Sequence, residues 1–318
     1  MKKNLIILGL AALTLSSCSR FKSADGGLKY NIHNDEDGQN IQEGDFIVIR
    51  GMQTTEKDSV VFSTYDTDRP TFLVCQKPQF KGDLYSGLAL LSEGDSATFK
   101  INLDTLAAKT GQPKPAFAGK DTYMIFKVKV VKVIPKGKQD DKTFGDKINE
   151  FIKSDTEAAK KAEGGKIQSY IKSKELKPTA TASGLNYVIT KQGAGVKANA
   201  GDTVEVNYTG MFLGGKIFDT SYPDVAKKAG TFNAQRPYAP LKMAVGLGQS
   251  IPGFDEGLML LPKGTKATLI LPSVIAYGEQ GNQGIPPYTP LVFEVEVVNI
   301  IPGKGVPAAP AAPAAPVK

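Results

Sequence analysis

The chain has 318 residues, of which 41% are hydrophobic and 22% charged, a composition typical of soluble globular domains and a length that suits two or three of them. Its net charge of +7 comes largely from lysines interleaved with acidic residues, which predicts a solvated surface and no nucleic-acid partner. His33 is the only histidine, which excludes a histidine-based triad or a multi-histidine zinc site, and no glycine-rich phosphate loop is present. We therefore expect no metal and no cofactor.

Residues 1–18 are predicted to be a targeting signal rather than part of a fold. Lys2 and Lys3 precede an apolar run of eleven residues, LIILGLAALTL, and two serines follow this run directly before Cys18. The run is shorter than the roughly 20 residues of a membrane-spanning helix but suits a secretory signal. The ending LSSC resembles the bacterial lipobox, which implies cleavage before Cys18 and lipid on that residue. The expected location is the bacterial cell envelope, with a lipid anchor in a membrane and the domains outside the cytoplasm; the alternative is an ordinary secretory signal with an incidental cysteine.

After a short polar tether at 19–26, two stretches of the chain are similar in sequence. Residues 27–135 can be laid over 184–302, so that GGLKYNI matches SGLNYVI, EGDFIVI matches AGDTVEV, and IFKVKVVKVIP matches VFEVEVVNIIP. Spacing changes fall in loops, as in a duplicated domain. Both copies contain strand-length alternating runs, and EGLMLL (256–261) has helical spacing behind Pro252. The predicted class is α+β, each copy being an antiparallel sheet closed over one short helix.

The connector between the copies, 136–183, is rich in Lys, Asp, Glu and Ala. Its apolar residues recur at helical spacing: Phe144, Ile148, Phe151 and Ile152. A Glu-Gly-Gly sequence at 163–165 interrupts this pattern, which predicts a helical pair that packs against one or both domains, with a semi-rigid spacer or a self-association element as alternatives. The Pro/Ala tail at 303–318 is predicted to be extended and disordered.

Four blocks of the second copy carry aromatic, acidic and glycine-rich motifs. They are NYTGMFLGGKIFDTS (207–221), SIPGFDEGLMLLPKGTKATLILP (250–272), IAYGEQGNQGIPP (275–287) and PLVFEVEVV (290–298). In this order and spacing they resemble the FKBP-type peptidyl-prolyl cis/trans isomerases, over about 184–302. The resemblance implies a half-barrel sheet around a short helix, a shallow aromatic pocket between them, and proline-containing polypeptides as substrates.

The resemblance also assigns roles to individual residues. The expected catalytic residues are Tyr208, Phe218, Asp219, Ile251, Phe254, Tyr277 and Phe293, and the expected substrate-binding residues are Leu241, Ser250 and Ile285. Ile251 would present its backbone N–H to the substrate carbonyl, Phe254 would form the pocket floor, and Tyr277 would place a hydroxyl at the rim. The family floor is usually Trp, an aromatic is common at the position of Leu241, and Val is common at the position of Ser250. These departures bear on substrate preference more than on basic activity.

The expected chemistry needs shape and dryness rather than a nucleophile. Amide rotation has a barrier of roughly 18–20 kcal/mol because resonance must be broken, so X–Pro bonds interconvert over tens to hundreds of seconds unaided. An apolar aromatic pocket disfavours the charge-separated planar amide and favours the twisted one, and a few placed donors complete the site.

The first copy differs at the positions that matter for this pocket. Its counterparts of the two tyrosines, the aspartate and the floor aromatic of the second copy are Gly51, Ala107, Ser63 and Leu84. We therefore expect the first copy to keep the fold but to lack the pocket and the activity. Binding of unfolded chains, self-association and spacing of the second domain from the membrane all remain open roles for it.

An insertion between Asp219 and Leu241 is longer than in compact members of the family. DVAKKAG predicts a helical turn that ends at Gly230, and the corner Arg236–Pro237–Tyr238 is expected to edge the pocket. The insertion would either select partners or cover surface.

Two functions follow from these observations. The first is a prolyl isomerase that assists folding of secreted or envelope proteins. The second is a non-catalytic chaperone or scaffold lipoprotein that binds polypeptide partners through both copies.

Overall fold

The structure, a computed structural model, describes residues 21–303, and its contacts divide the chain into two compact units. The first unit contains the described residues up to Val61 and those of Val74–Pro135, and the second contains Phe62–Leu73 and the described residues from Lys136 onward. The predicted signal 1–18, the predicted lipidation at Cys18 and the predicted tail beyond Gly303 lie outside the described residues. Within residues 21–303, no helix combines the length and the apolar character needed to cross a membrane.

The first part of the chain forms an antiparallel sheet with two short helices. Its strands are β1 (Lys22–Ser23), β2 (Lys29–Asn34), β3 (Phe46–Thr54), β4 (Val60–Ser63), β5 (Thr71–Val74), β6 (Ser96–Asn102) and β7 (Tyr123–Ile134), and its helices are α1 (Leu84–Leu88) and α2 (Leu103–Thr110). Strands β1, β2, β6, β7 and β3 are neighbours in that order. Helix α1 closes over the sheet at Gly87, where an added Cβ would lie 2.8 Å from the ring of Phe99, which is fully buried.

The connector forms one long helix, α3 (Asp141–Ser173), of 33 residues. The predicted break at 163–165 is wrong, because the helix continues through Gly164 and Gly165, where an added Cβ would meet nothing within 4 Å. Buried positions lie on one face of the helix on both sides of these glycines, at Phe144, Ala159 and Ile167. Burial of that face therefore offsets the roughly 1 kcal/mol that each interior glycine costs relative to alanine.

Helix α3 is anchored to the second sheet near its C-terminal end. Ile167 forms an apolar cluster with Ile270 and Val292. One turn earlier, the carboxylate of Glu163 accepts a hydrogen bond of 2.8 Å from the hydroxyl of Ser273. These contacts make α3 part of the second unit rather than a free spacer.

The second unit also contains a seven-stranded antiparallel sheet. Its strands are β8 (Thr179–Ala180), β9 (Asn186–Lys191), β10 (Thr203–Phe212), β11 (Ile217–Thr220), β12 (Leu241–Ala244), β13 (Lys266–Leu271) and β14 (Leu291–Ile301), and its further helices are α4 (Pro223–Ala229) and α5 (Pro252–Leu260). The strand order is β11-β10-β14-β13-β9-β8, and β12 pairs with β10. Helix α5 packs on the sheet at Gly257, where an added Cβ would lie 2.5 Å from Leu269. The predicted α+β class, with antiparallel sheet and short helix, is confirmed.

Each unit has an aspartate turn of the same kind, in addition to a glycine at which its own short helix packs on its own sheet. The carboxylate of Asp45 accepts the N–H of Gln42 at 2.8 Å, and the carboxylate of Asp202 accepts the N–H of Asn199 at the same distance. Both aspartates sit directly before a long central strand, β3 in one unit and β10 in the other.

Candidate active site

Four aromatic rings cluster between α5 and strands β10, β11 and β14; we call them the aromatic cup. The ring of Phe254 lies 5.0 Å from that of Phe293 and 5.9 Å from that of Tyr208, and Phe218 meets Phe293 edge-on at 5.8 Å. Phe254, Phe293 and Tyr208 are each less than 8% exposed, whereas Phe218 is half-buried. The cup is therefore an apolar surface with one wall open to solvent.

A glycine makes room for these rings. Gly210 lies opposite Phe293 in the β10–β14 register, two residues after Tyr208 on the same strand face. A Cβ at Gly210 would lie 2.8 Å from atoms of both Phe218 and Phe293. The YTG sequence thus supplies one ring and the space into which two others pack.

A hydrogen-bonded polar cluster forms the edge of the cup. The hydroxyl of Tyr208 donates to Asp219 Oδ2 at 2.6 Å and accepts from Arg236 Nη2 at 2.8 Å. The other carboxylate oxygen of Asp219 accepts a hydrogen bond from Arg236 Nη1, which closes the cluster. Because Asp219 and Arg236 are both partly exposed, their charges face the open side of the cup.

The electrostatics of the cluster keep the tyrosine neutral. Burial, followed by the hydrogen bond to the Asp219 carboxylate, raises the pKa of Tyr208 to about 12. The same carboxylate raises the pKa of the Arg236 guanidinium above its usual value, chiefly through their hydrogen bond. Near neutral pH the cup therefore has a protonated hydroxyl at its edge, held between a fixed cation and a carboxylate.

The rim of the cup comes from the start of α5 and the loop before β14. Ile251 is the N-cap residue of α5, in extended conformation, and together with Tyr277 it packs against the core cluster that contains the cup. Ile285 is 6% exposed and belongs to the same cluster. Two short backbone hydrogen bonds with Asn282, of 2.8 and 2.7 Å, hold Ile285 in a tight turn.

The structure brings together most of the residues predicted from the sequence. One cluster contains Tyr208, Phe218, Ile251, Phe254, Tyr277, Ile285 and Phe293, and Asp219 joins it through its hydrogen bond to Tyr208. Leu241 is 38% exposed at the start of β12, opposite Val206, and neither it nor Ser250 belongs to this cluster. A substrate-binding role for these two residues stays a prediction.

Arg236 was not among the predicted site residues, although the corner that contains it was expected near the pocket. The insertion positions it: α4 ends at Ala229 and is capped by Gly230, whose left-handed φ of 71° suits the predicted helical stop. Beyond it, the rings of Phe232 and Tyr238 stack 5.2 Å apart, and the Arg236 guanidinium lies 5.5 Å from the Tyr238 ring. Its partners lie 17 and 28 residues away in sequence, so local spacing gave no signal for them.

Among residues 21–303, no group of three or more His, Cys, Asp and Glu side chains is arranged to hold a metal ion.

Comparison with known proteins places this site within a family match. A family model described as FKBP-type peptidyl-prolyl cis-trans isomerase matches residues 195–298, which contain the cup. The FKBP-type peptidyl-prolyl cis-trans isomerase FkpA of Aeromonas hydrophila is 38% identical over 156 residues, which are 48% of this chain and 53% of that protein. FkpA of Escherichia coli K12 is 36% identical over 135 residues, 42% of this chain and 44% of that protein. The matches thus span about half the length of these relatives.

A shorter relative is matched over most of its length. FK506-binding protein 1B of Aspergillus fumigatus is 44% identical over 101 residues, which are 31% of this chain and 79% of that protein. Among solved structures, Escherichia coli FkpA is 31% identical, with 52% of this chain and 76% of that chain covered and a TM-score of 0.38. A peptidyl-prolyl cis-trans isomerase of Pseudomonas syringae is 33% identical. The match covers 46% of this chain and 96% of that chain, with a TM-score of 0.36.

Proposed function

This chain belongs to the FKBP-type peptidyl-prolyl cis-trans isomerase family, and we propose that it catalyses the cis/trans isomerisation of X–Pro bonds in polypeptides. The observation that carries the proposal is the aromatic cup, whose edge holds the Tyr208, Asp219 and Arg236 cluster, inside the segment that matches the family model.

The geometry supports catalysis by environment. A prolyl ring seated on the buried face of Phe254 leaves water, and the low dielectric constant there disfavours the charge-separated planar amide more than the twisted one. The Ile251 N–H, at the start of α5, is the proposed donor to the substrate carbonyl, and the Tyr277 hydroxyl is the proposed rim donor. Asp219 holds the Tyr208 hydroxyl in a fixed orientation, so the cup needs little rearrangement when substrate arrives.

The proposal is tested by the isomerisation rate of an X–Pro peptide with the full chain, an Asp219→Ala variant and an Asp224→Ala control. Asp224 is an exposed aspartate in the first turn of α4, where it forms an ion pair of 3.9 Å with Lys227. We expect wild type and the control to accelerate isomerisation and Asp219→Ala to lose most of that acceleration. A folded wild-type chain that leaves the rate unchanged would contradict the proposed activity.

We also propose that the clients are proline-containing polypeptides of the secreted or envelope fraction and that lipid on Cys18 holds the chain at a bacterial membrane. The support is the basic start, the apolar run and the LSSC sequence. Each buried CH₂ of an acyl chain contributes about 0.8 kcal/mol, so several chains on one cysteine anchor firmly. A Cys18→Ser variant should move from the membrane fraction to the soluble fraction; identical fractionation of variant and wild type would exclude the anchor.

For the domain organisation, we propose that 27–135 and 184–302 are copies of one domain joined by the α3 segment. The support is the sequence overlay, the shared aspartate turn and the glycine under each short helix. The first copy contributes no isomerase activity in this proposal, so the activity that remains in Asp219→Ala should fall further when Phe254→Leu is added, because all of it comes from the second copy. Self-association through the connector or the first copy stays a prediction, which sedimentation of the full chain tests.

A further inference from the structure

The first unit has an apolar cavity of about 280 Å³. Its apolar lining includes Phe80, Leu84, Leu106, Phe117, Met124 and Phe126. The sequence predicted that this copy lacks the aromatic pocket of the second copy, and it gave no indication of this different, apolar cavity. The pocket-forming residues are replaced, but the side chains that stand there, together with the loop that carries Phe117, leave a half-open apolar space.

The cavity occupies the place that the aromatic cup occupies in the second unit. Phe126 pairs with Gln53 between β7 and β3, as Phe293 pairs with Gly210 between β14 and β10. Leu84 is the first residue of the short helix α1. In the sequence overlay it corresponds to Phe254, which lies in the first turn of α5. The same sheet face and the same helix end therefore bound both sites.

The polar groups of the cup have no counterpart at this cavity. Gly51 and Ser63 stand at the overlay positions of the tyrosine and the aspartate. Asp83 is the carboxylate in the cavity lining, and it is the N-cap of α1, where it accepts the N–H groups of Gln79 and Ser86 at 2.8 Å each. Asp83 thus caps α1 within the protein, and it is the one charged side chain in a lining that is otherwise apolar apart from Gln53, Gln79 and Tyr85.

The size and the surroundings of the cavity indicate its ligand. A volume of about 280 Å³ lies just below the 300–1,000 Å³ usual for small-molecule sites, and the lining has no cluster of convergent charges that would orient a polar metabolite. A second cavity of about 360 Å³ adjoins it, with Phe80, Leu106 and Pro115 in both linings and Lys109 beside it. Two adjoining cavities suit an extended chain better than one compact molecule. Phe117 belongs to the lining and is 53% exposed, so its ring is available to pack against a bound segment.

We propose that this cavity is a non-catalytic binding site for an extended polypeptide segment that inserts a compact apolar side chain, leucyl or prolyl, against Leu84, Met124 and Phe126. Such a site holds a client without rotating its peptide bonds, because it lies in the place of the cup but lacks the hydrogen-bonded tyrosine, aspartate and arginine cluster at the edge of the cup. Tyr85 and Asp83 line the cavity in a different arrangement, in which Asp83 caps α1.

The test is carbon-13 methyl NMR of the methionine-labelled full chain, titrated with the peptide acetyl-Ala-Leu-Pro-Phe-amide. Met124 lines the cavity and is 4% exposed, so its methyl signal reports binding there; Met243 and Met259 report on the core that contains the cup. A Met124→Leu variant, which nearly conserves volume, assigns the signal. We expect a saturable shift of the Met124 signal.

Two variants separate this site from the cup. Phe117→Ala should weaken the affinity reported by Met124 about tenfold, which corresponds to about 1.4 kcal/mol, and leave the response of Met259 unchanged. The matched control is Phe62→Ala, another phenylalanine that is 47% exposed but absent from the cavity lining, and it should leave both responses unchanged. A Met124 signal that does not move up to millimolar peptide, or an equal loss with Phe62→Ala, would overturn the proposal. Isomerase activity, measured on the same sample, tests the proposed function separately, because the Met124 signal reports only on the cavity of the first unit.

Discussion

Replacing Phe254 with leucine should weaken both the stability of the second unit and its isomerase activity. The variant keeps an apolar side chain of similar size but removes the ring contacts with Phe293 at 5.0 Å and Tyr208 at 5.9 Å. Each such pair contributes about 0.5–1.5 kcal/mol beyond area burial, so we expect the free energy of unfolding to fall by about 1–3 kcal/mol. The flat floor of the cup is lost as well, and kcat/KM should fall at least about tenfold, or about 1.4 kcal/mol of transition-state stabilisation.

The matched control for this change is Phe212→Leu. Phe212 is 4% exposed and has a ring contact of 5.2 Å with Phe218, so its replacement also removes a buried ring pair from the second unit. It has no ring contact with Phe254 or Tyr208, and we expect a stability loss of about 0.5–1.5 kcal/mol with kcat/KM within about threefold of wild type. Urea unfolding and peptide isomerisation measured on both variants compare the two losses. Equal activity in the two variants would refute the assignment of Phe254 as the floor.

Three further predictions concern stability. Gly164→Ala and Gly165→Ala should each stabilise the protein by about 0.5–1 kcal/mol in urea unfolding, because both lie inside α3 with open space around the new Cβ. Gly257→Ala should instead destabilise the protein, because its Cβ would lie 2.5 Å from the fully buried Leu269. Overpacking costs about 1–3 kcal/mol and the gain in helix propensity returns about 1 kcal/mol, so the net loss is up to about 2 kcal/mol. Burial raises the pKa of Tyr208 to about 12, so its neutral form stabilises the fold below pH 10. This contribution, on the order of 2–3 kcal/mol, should be lost as the pH rises through 12 in wild type but not in Tyr208→Phe.

Each of these has an outcome that contradicts it. Destabilisation by the α3 alanines would mean that the glycines serve a close contact. A Gly257→Ala variant that is more stable than wild type would mean that Leu269 repacks without strain. Parallel alkaline unfolding curves for wild type and Tyr208→Phe would mean that the tyrosine titrates alike in folded and unfolded chains.

Local sequence patterns were sufficient to predict the central strands of the second unit and the end of helix α4. Alternation in TVEVNY and LVFEVEVVNI predicted the central strands β10 and β14, and Gly230 predicted the end of α4. The residues of the cup were identified because the family motifs fix them in short blocks around strands and helix starts.

The features that the sequence did not predict depend on contacts between distant residues. The continuity of α3 through Gly164 rests on Ile167 packing against Ile270 and Val292, about a hundred residues further along the chain. Tertiary burial outweighed helix propensity there. Arg236 reaches Asp219 only because the insertion folds back on itself, and no spacing rule encodes that geometry.

The cavity of the first unit was missed for a related reason. Replacement of aromatic residues by Leu84 and Ala107 indicated a lost pocket, yet the volume of a pocket depends on how neighbouring elements close over it. In the first unit, Ala107 lies within the two-turn helix α2, whereas Tyr277 follows a short 3-10 turn in the second. A loop of different structure therefore bounds each site.

The most direct test of the account is NMR exchange spectroscopy on a proline peptide such as acetyl-Ala-Leu-Pro-Phe-amide, with a catalytic amount of the full chain. Uncatalysed exchange takes tens to hundreds of seconds. We predict that the wild-type chain brings cis and trans signals into exchange on the timescale of seconds or faster and that Phe254→Leu reverses most of this effect. Exchange that stays at the uncatalysed rate with folded wild-type protein would contradict the isomerase assignment and leave both units as binding domains.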